Sequence, residues 1–201
     1  MAGSKGSEGN KGISFGFLST RNVPEIASRT LTIGSASKLL SLTGWRIGWV
    51  TGPKDLVAAV RLVSGYATFC APTPLQEACA TAIAAAAAPG GDPTFGGVAR
   101  LFEANWNLLA KALVDTVEGL TVCECEGGYF LVADVAACGL QDMAFLDLLS
   151  SHCGIAGMPM SLFYGDPTQP CTLVRFAICK KTETIQAAVD ALKKWPKEAV
   201  R

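Results

Sequence analysis

The run Ile33-Gly34-Ser35-Ala36-Ser37-Lys38-Leu39-Leu40-Ser41-Leu42-Thr43-Gly44-Trp45-Arg46-Ile47-Gly48-Trp49 carries more information than any other part of the chain. It sets Lys38 three residues after Ser35 and eight before Arg46. Serine hydroxyls, loop amides and a guanidinium at close range are what a phosphate needs. An amine that attacks a carbonyl must be partly neutral near pH 7, although a free lysine titrates near about 10.4. Burial and a neighbouring cation favour the neutral amine. Leu39, Leu40 and Leu42 offer the first and Arg46 the second. Lys38 therefore reads as an amine beside an anion site, the arrangement that forms an imine with a phosphorylated aldehyde. Taken alone, the same residues also allow a solvated surface lysine.

The flanks of this run give the local organisation. Residues 29–33 (Arg-Thr-Leu-Thr-Ile) predict a short strand, because β-branched and apolar residues dominate. Trp45 to Val50 predicts a second strand, stopped by Gly52-Pro53. Pro53 suits a first helical position, and Leu56, Val57, Val60 and Val63 repeat at helical spacing. Thr73-Pro74-Leu75-Gln76 fits a capping box opening a helix to about Ala88. Pro89-Gly90-Gly91-Asp92-Pro93 is the clearest break.

Beyond the break, Val98, Leu101, Phe102, Asn105, Leu108, Leu109 and Leu113 mark a long amphipathic helix. Gly127-Gly128 precedes a strand from Tyr129 to Val135, and Phe145, Leu146, Leu148 and Leu149 mark another helix. Residues 155–160 and 172–179 are strand candidates. Thr182 reads as the cap of a last helix with Ile185, Val189, Leu192 and Trp195 on one stripe. The expected division is a disordered lead-in over 1–12, one unit over 13–90 and a second, α/β or α+β sandwich, over 91–201.

Composition narrows the function classes. The 201 residues are half hydrophobic with a formal net charge of zero. That balance argues against nucleic acid, which asks for a basic surface. No apolar run is long enough to cross a bilayer of about 30 Å. The Gly, Ser and Lys-rich start is no secretory signal, so the cytoplasm is the default compartment. Eight cysteines with a single histidine, His152, read as reduced thiols acting as small hydrophobes rather than as a metal site. His152 itself reads as structural or exposed.

Ser-x-x-Lys followed by Thr-Gly-x-Arg-x-Gly resembles the cofactor-lysine signature of the class I/II aminotransferases, the fold-type-I pyridoxal-phosphate enzymes. From Arg29 through Thr51-Gly52-Pro53 the stretch looks most like kynurenine aminotransferases and cysteine-S-conjugate β-lyases. The resemblance implies an α/β fold: the end of the large cofactor domain followed by the small C-terminal domain. It implies pyridoxal 5'-phosphate as cofactor, amino acid and 2-oxo acid substrates, and a homodimer in the full-length family. Lys38 matches the lysine that carries the cofactor as a Schiff base and later moves the substrate proton. Ser35 matches the serine on the cofactor phosphate, and Arg46 the cation on it. Ser37 has no assigned role.

Further on, Leu173-Val174-Arg175-Phe176-Ala177-Ile178-Cys179 is a strand with one buried-looking arginine. Alternation puts Leu173, Arg175, Ala177 and Cys179 on one face. An arginine among apolar neighbours needs a counter-anion or a route to solvent. The strand resembles the family segment whose arginine clamps the substrate α-carboxylate, as does Met158-Pro159-Met160-Ser161-Leu162-Phe163-Tyr164 before it. Phe69 matches a segment that reaches into a neighbouring subunit's pocket, with a core phenylalanine as the alternative. Phe69 and Tyr164 near the pocket favour substrates with large apolar side chains. Gly127-Gly128-Tyr129-Phe130 also fits the family, in a structural role.

The resemblance covers about Ser28 to Trp195, which is only the later half of a family member. Residues 1–27 contain neither aspartate nor tyrosine. The aspartate that the family sets on the pyridine nitrogen is thus not found before Lys38, and Glu8 and Glu25 lack its context. Two functions follow: an aminotransferase acting as a partial chain, or a catalytically inactive fragment serving as a structural or dimerising module. A half-sheet with an unpaired edge further predicts aggregation of the chain on its own.

Overall fold

The computed structural model describes residues 23–92, 95, 97–166 and 168–196. The expected lead-in, 1–12, lies outside them. After a short helix α1 (Pro24–Ala27), strands β1 (Thr32–Ser35) and β2 (Gly48–Thr51) pair antiparallel, from Thr32 opposite Thr51 to Ser35 opposite Gly48. Both strands sit further along the chain than the sequence suggests. Thr30 is still tied to α1, its hydroxyl donating to the Ile26 carbonyl at 2.7 Å. Trp45 closes a 3-10 turn (Thr43–Trp45), and Arg46 is left-handed at φ 56°. The backbone therefore becomes extended only near Gly48. Glycine is required here for space. A Cβ on Gly34 would overlap the Trp49 indole opposite it, and one on Gly48 would come within 2.8 Å of the Gly34 carbonyl oxygen.

Helix α2 (Ala36–Leu39) carries Lys38, and α3 (Lys54–Ala67) and α4 (Thr73–Ala87) follow. The expected helix starts are each one residue out. Pro53 is the residue before α3 rather than its first, and Val57 donates its N–H to the Pro53 carbonyl at 2.9 Å. Thr73 lies inside α4, so it cannot cap it. The Gln76 amide instead reaches back to the Ala71 carbonyl at 2.7 Å. Thr182 likewise lies inside the last helix, behind Lys181. Ala36, Ile47 and Cys79 form a small core, backed by Leu40, Leu42, Trp49, Ala71 and Leu75. Helix α3 contributes no buried residue, and Leu62, Val63, Tyr66 and the nearby Phe69 are exposed.

The second part is a four-stranded antiparallel sheet in the order β3-β4-β6-β5. Its strands are β3 (Thr121–Val122), β4 (Phe130–Asp134), β5 (Met158–Pro159) and β6 (Leu173–Ala177). Leu131 and Ala133 of β4 and Val174 and Phe176 of β6 are buried in one cluster with residues of α5 (Val98–Thr116), α6 (Asp142–Cys153) and α7 (Thr182–Leu192). Leu109, Leu113, Phe145, Leu149, Ile185 and Leu192 supply most of the helical side. The expected alternation on β6 holds: Leu173, Arg175 and Ala177 share the opposite, more open face. Arg175 is half-buried there, not enclosed. Among the described residues no helix is long and apolar enough to cross a membrane, and no group of three acidic, Cys or His side chains could hold a metal ion.

Candidate active site

The β1–β2 ladder brings the first three site candidates to one end. Ser35 faces Gly48 across it, and the Ala36 N–H donates to the Ile47 carbonyl at 3.0 Å. Ser35 caps α2, its Oγ accepting the Ser37 N–H at 3.2 Å. Arg46 is exposed, and its guanidinium donates to the Thr43 carbonyl at 3.3 Å. Thr43 in turn donates its hydroxyl to the Ser37 carbonyl at 3.1 Å. Lys38 is half-buried, with Nζ 4.9 Å from the centre of the Tyr129 ring. A cavity of about 330 Å³ opens beside it, lined by Ser37, Lys38 and Thr43 from this part and by Phe102, Lys180 and Lys181 from the other. Among the described residues no carboxylate lines it.

Arg175 is held by π faces and sulfur. Its guanidinium carbon lies 4.0 Å over the Phe130 ring and 4.7 Å from the Phe163 ring centre, and it donates to Met158 Sδ at 2.8 Å. Rings over a guanidinium leave its edge as the hydrogen-bonding side, and the donors not given to Met158 Sδ suit a planar carboxylate. Among the described residues the ion pairs are Arg100–Asp92, Lys111–Asp115 and Lys193–Asp190. Lys38, Arg46 and Arg175 belong to none of them. Three cations are thus not already neutralised by a carboxylate, and a site with such cations fits anionic groups such as a phosphate and a carboxylate.

Two buried polar side chains hold this arrangement. Asp142, at the start of α6, accepts the Met143 N–H at 2.7 Å and the Ser161 N–H at 2.8 Å. Burial pushes its carboxyl up, but hydrogen bonds led by those from Ser161 outweigh it, and the pKa falls below the usual carboxylate value. Through Ser161 it anchors the turn Met160–Phe163 that puts Phe163 against Arg175. Asn105 of α5 is fully buried and donates to the Ile178 carbonyl at 3.0 Å and the Lys180 carbonyl at 2.8 Å. It fixes the end of β6 beside the cavity.

Phe69 is 86% exposed with φ 65°, so it is not a core phenylalanine. Nothing in the structure connects it to the other candidates. His152 is exposed. Cys79, Cys138, Cys153 and Cys171 are buried, as small hydrophobes should be, but Cys70 and Cys123 are exposed. The residues that link the site, Tyr129, Phe130 and Phe163, stand in the sequence only as parts of family-like segments. No local signal marks them, because they lie 46, 45 and 12 positions before Arg175 in the sequence.

Residues 10–192 match the family described as aminotransferase class I and II. The match reaches upstream of Ser28 and into the last residues of the expected lead-in. The chain is 33% identical over 194 residues to a kynurenine–oxoglutarate transaminase of Dictyostelium discoideum, covering 87% of this chain and 43% of that protein. It is 34% identical over 176 residues to a probable N-succinyldiaminopimelate aminotransferase of Mycobacterium tuberculosis, covering 83% and 43%. The crystal structure of an Escherichia coli protein with a methionine aminotransferase function superposes with a TM-score of 0.77 at 31% identity, covering 90% of this chain and 46% of that one. The chain therefore spans less than half the length of the relatives it matches.

Proposed function

Since the chain belongs to the class I and II aminotransferase family, we propose that it contributes the lysine-bearing part of an enzyme moving an amino group between an amino acid and a 2-oxo acid. The family depends on pyridoxal phosphate. When bound, that group supplies the electron sink for bond breaking at the substrate Cα. With the cofactor bound, Lys38 Nζ would hold its aldehyde carbon and, when the substrate amine takes that place, would carry the proton from the substrate Cα to that former aldehyde carbon. Ser35 Oγ and the Arg46 guanidinium hold the phosphate. Arg175 takes the α-carboxylate along the guanidinium edge that the rings leave open. Phe69 reaching in from a second copy, together with Tyr164, would favour an amino acid with a large apolar side chain. In this reading 13–90 belongs to the large cofactor domain and 91–201 is the small domain.

The observation that carries the proposal is the continuity between the two cations. Lys38 touches Tyr129, Tyr129 lies 4.3 Å from Phe130, and Phe130 lies under Arg175. The amine and the guanidinium are thus linked through two adjacent rings although they lie 137 positions apart in sequence, which supports one shared site. Titration with pyridoxal phosphate tests it. A visible absorption band should grow in and be absent from Lys38→Ala. A wild-type chain that shows no band with excess cofactor sinks the reading for this polypeptide.

We assign the assembly partner as a second copy of the chain. The exposed Leu62, Val63, Tyr66 and Phe69 form the apolar surface that supports this. Sedimentation should give a dimer that Phe69→Asp dissociates, and a monomeric wild type rejects the assignment.

A further inference from the structure

From these contacts we infer that Tyr129 is a positioning residue, the resting place of the Lys38 amine when it is free, and that Phe130 is the matching seat of Arg175. The inference rests on the cofactor role proposed for Lys38. Among the described residues Lys38 Nζ has no hydrogen bond and no ion pair, and the Tyr129 ring at 4.9 Å is its one attractive partner. The other charged groups lining its cavity, Lys180 and Lys181, repel it. Tyr129 is fixed to the sheet, its carbonyl accepting the Ile178 N–H at 3.0 Å. The consecutive rings of Tyr129 and Phe130 lie 4.3 Å apart at 48°, and each takes one cation.

A ring face attracts a full positive charge on the amine. Condensation of Nζ with the cofactor aldehyde would form a C=N bond, expel one water and replace the compact ammonium charge by one spread over the conjugated imine. The ring contact therefore favours the free lysine over the attached one. Tyr129 holds the lysine whenever a substrate amine displaces it and so assists that displacement. Phe130, stacked on the Arg175 guanidinium at 4.0 Å, keeps it aimed at the carboxylate.

Two site-resolved measurements on the whole chain decide the matter. Borohydride trapping followed by peptide mass spectrometry gives the pyridoxal phosphate concentration that half-labels Lys38. Protection from phenylglyoxal gives the pyruvate concentration that half-shields Arg175. Tyr129→Leu should lower the first concentration about 5-fold and leave the second alone. Pentafluorophenylalanine in place of Tyr129 keeps the shape, reverses the ring quadrupole and should act in the same direction, whereas Tyr129→Phe should match wild type. Phe130→Leu should raise the second concentration about 5-fold and leave the first alone. Weaker or unchanged labelling in Tyr129→Leu and in the fluorinated chain overturns the resting-place role. Equal movement of both readouts in either leucine variant reduces the pair to packing. A wild-type chain that takes no label at Lys38 rejects the cofactor reading and the Tyr129 role with it, while the Arg175 arm still decides Phe130.

Discussion

Asn105 offers a sharp test of how the cleft is held. Its side-chain nitrogen makes two hydrogen bonds, to the Ile178 and Lys180 carbonyls, while its oxygen has no partner. Asn105→Ala removes both bonds, each contributing about 1 kcal/mol net, and leaves a small void in a filled core at about 1 kcal/mol, while the Ile178 carbonyl keeps the Lys180 N–H at 2.8 Å. It also removes the orphaned oxygen, whose own burial costs a similar amount. The terms partly offset, so the expected loss is about 2 kcal/mol. In a chain of this size that lowers the melting temperature by roughly 4–8 °C. Asn105→Asp is expected to be worse despite its near-identical shape. It turns the donor into a second acceptor facing two carbonyls and buries a charge without a cation, at several kcal/mol. Urea titration followed by near-ultraviolet circular dichroism gives both numbers. A loss below about 0.5 kcal/mol for Asn105→Ala, or a milder effect of Asp than of Ala, refutes the account, because the ranking follows directly from the amide orientation.

Asp142 has a folded pKa below its unfolded value of about 3.9. Its contribution is complete above that unfolded value and is lost as pH falls through the folded one. Melting temperature against pH should show an acid limb below about pH 4 that Asp142→Asn flattens; an unchanged limb refutes it. Gly34→Ala should cost about 1–3 kcal/mol through overlap with the Trp49 indole, and a Trp49→Ala background should relieve most of it in a thermal melt. Arg175→Lys keeps the charge but loses the planar fork, so the pyruvate concentration that protects this site should rise at least about tenfold; equal protection by the lysine variant counts against a bidentate clamp. Thiol titration should find Cys70 and Cys123 fast and Cys79, Cys138, Cys153 and Cys171 silent until urea is added. Burial, reinforced by Asp134, also pushes the Cys138 thiol up.

Long-period features were legible in the sequence. The stripe through Phe102, Asn105, Leu109 and Leu113 is α5, and the two faces of β6 follow its alternation. The lysine signature led directly to the family. Boundaries were less legible, because proline and threonine mark a helix start without fixing which residue is the cap. Pro72, Pro53 and Lys181 took that place. Arg46 carries no local mark of its left-handed backbone, which arises where the 3-10 turn must deliver Ile47 to the core. The environment of Arg175 was out of reach for a different reason. Its partner Phe130 comes from one stretch of chain and Met158 and Phe163 from another, and only the sheet register and the Asp142-anchored turn bring them together.

The four-stranded sheet ends on two-residue strands at both edges, and one of them contains Pro159, which has no N–H to offer. Such edges are poor templates for another chain. The sticking hazard expected of a half-sheet is therefore not spread evenly over the molecule. It is concentrated in the other part, where among the described residues four-residue β1 and β2 each leave one side unpaired and Ile33 is 80% exposed. A solubilising change belongs there, for instance Ile33→Lys, and charging the rim of the larger sheet would gain little. The half that carries Lys38 is also the half that needs a companion.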